Sequence, residues 1–117
     1  MQPLSWALVV TRMKSIQIQI QPELNNTIDS KEVLAHLKEN GYAPHVSEGN
    51  DEGQYINILV SAINVAELWE TIKTLLNKRK AFKSSSIIIC EGSESWNNYL
   101  LLHHYNENEK LDGIRSH

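Results

Sequence analysis

Residues 15–21 read Ser-Ile-Gln-Ile-Gln-Ile-Gln, an unbroken alternation of apolar and polar positions. Successive side chains of a strand point to opposite faces, so Ile16, Ile18 and Ile20 share a core face and Gln17, Gln19 and Gln21 share the other. Further along, the period lengthens twice. Val33, Leu34 and Leu37 recur at helical spacing in a segment predicted over Ser30 to Asn40. Leu68, Ile72, Leu75 and Leu76 form the stripe of a second helix predicted over Val65 to Lys80. A capping pair opens each: Asp29 with Glu32, and Asn64 with Glu67. The cap side chain accepts an orphan amide of the first turn, while the Glu three residues on reaches back. Gly41 stops the first helix where φ > 0 is needed. Lys78, Arg79 and Lys80 at the end of the second complement its dipole.

Strand-like runs flank both helices. Tyr42 to Ser47 is short, and Pro44 within it points to a sheet edge. Gln54 to Val60 places Ile56, Ile58 and Val60 on one face, with Tyr55, Asn57 and Leu59 on the other. Ser84 to Cys90 is a fourth strand, Glu91 to Ser95 a tight polar connection, and Trp96 to Tyr105 a fifth strand closing a hairpin. The order is βαββαβ with one hairpin strand added. That predicts an α+β chain of ferredoxin-like type: an antiparallel sheet in the order 5-4-1-3-2, with both helices on one face. The frame covers residues 13–106, and the polar stretch 107–117 is a flexible tail.

Residues 1–12 have two readings. They are an extra strand, with Trp6 to Thr11 β-prone, or an extension from an upstream start that packs poorly. The cost of leaving Trp6, Leu8, Val9 and Val10 in water favours the strand. Leu4 to Val10 is far shorter than a membrane span and no basic residue precedes it, so neither a signal peptide nor a membrane anchor is expected, and the cytoplasm is the default location.

With 117 residues the chain is one domain, long enough for a core without disulfides or metal. A net charge of −3 argues against nucleic acid, whose phosphates demand a basic footprint, and weakly favours a basic partner. The single cysteine, Cys90, excludes an internal disulfide and a thiolate cluster, and its neighbours Ile87, Ile88 and Ile89 suit a buried thiol.

Candidate chemistry belongs on the sheet face opposite the helices. It presents Gln17, Gln19 and Gln21, then Tyr55, Asn57 and Leu59, and from strand five Tyr99, Leu101, His103 and Tyr105. Leu100 and Leu102 compete to define the inward face of that last strand. Tyrosines beside amides suit a protein interface, where the ring gives contact area at low entropic cost; a plain solvated sheet face is the alternative. RNA-binding sheets of this topology stack bases on central-strand aromatics, and here those strands offer Tyr55 alone. Cys-x-x-Cys metal chemistry is absent, and Gln21-Pro22-Glu23-Leu24 lacks the glycines and arginine of an acylphosphatase-like cradle.

The five histidines show no ligand spacing: adjacent His103 and His104 point to opposite faces, His36 flanks helix one, His45 is on the edge strand, and His117 is in the tail. His103, among tyrosines, is the best general-base candidate, though no carboxylate orients it. Ser84, Ser85 and Ser86 lack a nucleophile elbow, and packing accounts for Trp69 and Trp96. The loop Glu48-Gly49-Asn50-Asp51-Glu52-Gly53 reads as a solvated turn or, through Glu48, Asp51 and Glu52, as a steering patch for a basic protein.

The leading expectation is a non-enzymatic protein-binding module without cofactor or metal, in its narrower form an inhibitor of a basic protein, such as a bacterial immunity protein or antitoxin. The binding residues would be Tyr55, Asn57, Tyr99, Leu101, His103, Tyr105, Glu48, Asp51 and Glu52. The rival is a homodimer stacked sheet to sheet around a small-molecule pocket, lined by Tyr55, Tyr99, His103 and Tyr105 with His103 as acid or base. A third reading is a regulatory domain with ligand near the Pro22 to Asp29 loop.

Overall fold

The computed structural model describes residues 13–21, 30–49 and 55–114. The strand expected at Trp6 to Thr11, the Asp29 cap, and the loop residues Asp51 and Glu52 lie outside the described residues. The elements are β1 (Lys14–Ile20), α1 (Ser30–Glu39), β2 (His45–Gly49), β3 (Tyr55–Ala62), α2 (Val65–Lys78), α3 (Lys80–Lys83), β4 (Ser86–Gly92) and β5 (Ser95–His104). The chain is α+β, with a five-stranded sheet in the order β2-β3-β1-β4-β5. Every neighbouring pair is antiparallel.

β1 is the central strand because its alternation buries one whole face: Ile16, Ile18 and Ile20 are at most 1% exposed. Ile58 and Val60 of β3 and Ile88 and Cys90 of β4 continue that buried face, and Val33 and Leu37 of α1 with Leu68, Ile72, Leu75 and Leu76 of α2 complete the same cluster. Each large aliphatic in it contributes about 1.5–3 kcal/mol by leaving water.

Local boundaries show tertiary control. α2 opens as the Asn64 cap requires: Glu67 N–H donates to Asn64 Oδ1 at 3.1 Å. The return arm is Asn64 Nδ2 donating to Glu67 Oε2 at 3.4 Å, made by the side-chain amide instead of the cap backbone. The helix was expected to continue to Lys80. It stops at Lys78, where Arg79 is extended (φ −123°, ψ 102°), and the short α3 follows. Fourteen residues of helix span about 21 Å. The break turns the chain back and drops Phe82 into the core, fully buried. Ser85 and Ser86 then donate to the carbonyls of Ala81 and Phe82 at 2.7 and 2.6 Å, which satisfies the end of α3.

β2 begins at His45, after Pro44, so the proline precedes the edge strand and does not interrupt its ladder. Gly41 takes φ +90° after α1, the left-handed conformation that glycine adopts without a Cβ clash. Beyond β5, Asp112 returns to the sheet edge. Its N–H donates to Leu101 C=O at 2.7 Å, and Leu101 N–H donates to Asp112 Oδ2 at 2.9 Å. Ile114 packs against the core, so this part of the polar stretch expected as a loose tail is held against the sheet.

Candidate functional site

The ladder register arranges the sheet face away from the core into rows. One runs His45, Leu59, Gln17, Ile89, Leu101 from β2 to β5. The next runs Ser47, Asn57, Gln19, Ile87, His104. A third joins Ser61 to Ser15, whose hydroxyls are 2.6 Å apart. The face is therefore graded: hydroxyls and amides over β2, β3 and β1, aliphatics over β4 and β5. Leu59 is 38% exposed and Tyr99 53%, while Ile87, Ile89 and Leu101 are half-buried.

The polar half is knitted across strands. Gln17 Nε2 donates to Asn57 Oδ1 at 3.4 Å. Glu91 is consumed by the fold: its Oε1 accepts Ser15 N–H and its Oε2 accepts Ser95 Oγ, both at 2.8 Å. The rows thus offer neutral hydrogen-bonding groups beside an apolar strip, the composition of a contact surface.

The sequence-predicted residues divide. Tyr55 and Asn57 lie on this face of β3, and Leu101 on this face of β5. Tyr99 is two residues before Leu101 on the same strand, towards the hairpin tip. Tyr105 follows the other end of β5, its ring 4.6 Å from that of His104 and tilted by 35°. Glu48 stands on β2 in register with Ile56, and Asp51 and Glu52 fall outside the described residues.

His103 is not on the open face. Ile88 is opposite His103 but Ile89 is opposite Leu101, so Leu102 is an extra residue in β5. Such a bulge breaks the period of two. Leu102 and His103 both turn inward as a result, 3% and 8% exposed, and it is His104 that stands beside Ile87 on the open side. Buried His103 is satisfied by Lys83, whose backbone carbonyl lies 2.8 Å from Nε2. A carbonyl only accepts, so Nε2 carries the proton. Burial pushes the His103 pKa below its usual 6.5; the Lys83 carbonyl bond opposes that, and the charges of Lys83 and His104 reinforce it. This places His103 where it packs, on the opposite side of the sheet from Leu101.

Other reactive groups are also turned inward. Cys90 is buried, and its thiol is pushed up to about 11, first by burial, with Lys14 opposing and Glu91 adding. At neutral pH it is a thiol, not a nucleophilic thiolate. Among the described residues no three His, Cys, Asp or Glu side chains converge as metal ligands would, and no helix is long and apolar enough to cross a membrane.

Ile87 and Ile89 were overlooked as surface residues. Three consecutive isoleucines in a strand must divide two to one between faces, and with Ile88 and Cys90 inward the other two face out. That signal was present in the sequence. No protein-family model, curated protein or solved structure matches this chain.

Proposed function

We propose that the chain is a small protein-binding module on a ferredoxin-like βαββαβ frame, and that its partner seats on the open sheet face. The observation that supports this is the apolar strip of Ile87, Ile89 and Leu101, continued by Tyr99 and flanked across Gln17 by Leu59, lying half-exposed beside Gln19 and Asn57. A solvated sheet face alternates polar residues outward. Here β4 spends two of its outward positions on isoleucine, which costs solubility unless a partner covers them. The partner is a basic protein with an apolar centre to its contact patch: the strip supplies the desolvated centre, the amides its hydrogen-bonding border, and the net charge of −3 favours approach of a cation-rich surface.

The test pairs Leu59→Lys and Leu101→Lys with Asn77→Lys, an exposed control on α2, in matched captures from the native host, each variant first shown to melt as the parent does. Burying a lysine in the strip should weaken a bound partner at least about tenfold, as truncations at the centre of interfaces do. A partner retained by both strip variants would sink the proposal. So would a concentration-dependent dimer in light scattering that Leu59→Lys dissolves, because the occupant would then be a second copy.

A further inference from the structure

The end of β5 and the α3–β4 junction enclose a concavity of about 330 Å³, whose lining includes Lys80, Lys83, His103, His104, Tyr105 and Glu107. It adjoins the apolar strip where His104 stands beside Ile87, and is opposite to it in chemistry. Residues 78–83 contain four cations and no acid, in a chain of net charge −3. Arg79 is neutralised by Glu32 at 2.6 Å. Lys80 and Lys83 are exposed and form no ion pair among the described residues.

The hydrogen-bonding state of the two histidines follows from their partners. His104 Nδ1 accepts the Asn106 N–H at 3.0 Å, so the neutral ring carries its proton on Nε2 and is a donor there. His103 already spends its Nε2–H on the Lys83 carbonyl and forms part of the wall. Among the described residues, the groups left to meet a ligand are two ammonium ions, an imidazole N–H and the Tyr105 hydroxyl, with Glu107 as the one anion in the lining. Donors outnumber acceptors, so the complementary ligand is rich in acceptor oxygens and negatively charged.

We propose that this pocket binds the phosphate group of a small phosphomonoester. A dianion with three terminal oxygens uses both lysines and still has acceptors for the imidazole and phenol, whereas a carboxylate has two oxygens to share among the same four donors. A volume of about 330 Å³ exceeds what one phosphate fills, and the His104 and Tyr105 rings in the lining offer aromatic surface to the organic remainder. Glu107 opposes the ligand charge and so sets its affinity.

Inorganic phosphate, methyl phosphate and acetate are titrated into the isotope-labelled full chain at constant ionic strength, following the ring resonances of His104 and Tyr105. Saturable shifts are expected with both phosphates and not with acetate. The double variant Lys80→Gln, Lys83→Gln should weaken phosphate by about tenfold or more through loss of two charge-assisted hydrogen bonds, and Glu107→Gln should tighten it several-fold. These positions are exposed, and an unchanged melt verifies the fold. Shifts that never saturate, acetate binding as tightly as phosphate, exclusion of methyl phosphate, or a double variant that binds phosphate as the parent does would each overturn the assignment. Weaker binding in Glu107→Gln would also overturn it, since Glu107 would then be holding a ligand cation.

Discussion

Replacing Gly92 by alanine probes the hairpin that presents Tyr99. A Cβ at position 92 would overlap the backbone oxygen of Asn98 and stand 2.6 Å from its Oδ1 and 2.9 Å from its carbonyl carbon. Backbone cannot rotate aside as a flexible side chain would, so the strands must part. Overpacking of this kind costs about 1–3 kcal/mol. Displacing Asn98 also strains its two bonds across the turn, from Glu94 N–H at 2.7 Å and to Ser93 Oγ at 2.8 Å, each worth about 0.5–1.5 kcal/mol. Alanine returns about 0.4–1 kcal/mol by restricting the unfolded chain. The net expectation is a loss of about 2–3 kcal/mol, or roughly ten degrees in Tm for a domain of this size. Gly113→Ala is the control, because a Cβ there meets nothing within 4 Å; it should be neutral or slightly stabilising. Urea unfolding followed by far-ultraviolet circular dichroism measures both. If Gly92→Ala and Gly113→Ala agree within about 0.5 kcal/mol, the spread of ordinary surface substitutions, the steric reasoning is refuted.

Burial of His103 makes stability pH-dependent. Its pKa is lowered on folding, so below 6.5 the unfolded chain binds the extra proton, and stability present at pH 7.5 is lost as pH falls through the window under 6.5. The urea midpoint of His103→Gln should fall less between pH 7.5 and 5.5 than that of the parent; equal falls would show that other groups are responsible. Asn64→Ala removes the α2 cap, and a loss of about 1 kcal/mol is expected in the same unfolding assay, with no change pointing to a replacement cap. Cys90 in the native protein should resist a thiol reagent at pH 8 and label at the rate of global opening, so labelling accelerates with urea; rapid reaction without denaturant would contradict its burial.

Strands that alternate cleanly, as at Ile16, Ile18 and Ile20, and helices with one stripe, as at Leu68, Ile72 and Leu75, were legible because the period is local. The Asn64 cap was legible for the same reason. Three features lie outside these local periods. The bulge at Leu102 exists only relative to Ile88 and Ile89, so the alternation Tyr99, Leu101, His103, Tyr105 put His103 on the wrong face. The break at Arg79 accompanies the burial of Phe82, a core contact that no helix signal encodes. The positive φ of Ser95, 60°, belongs to a turn held by Glu91 and Asn98 from outside it. Alternation placed Tyr55, Asn57 and Leu101 on the sheet face where the ladder has them, while Ile87 and Ile89 were hidden inside a run that looked wholly buried.

The contact between Asp112 and Leu101 has a bearing on how any partner can engage this protein. β5 is an outer strand, and outer strands are templates for another chain to extend by main-chain pairing. Asp112 fills both hydrogen-bonding positions of Leu101 with an intramolecular surrogate, so the ladder ends at that residue by self-termination. Main-chain pairing recognises almost any extended peptide and discriminates little among sequences. With that position taken, a second chain cannot extend the sheet through Leu101, and anything seated at this point of β5 would have to be met by side chains.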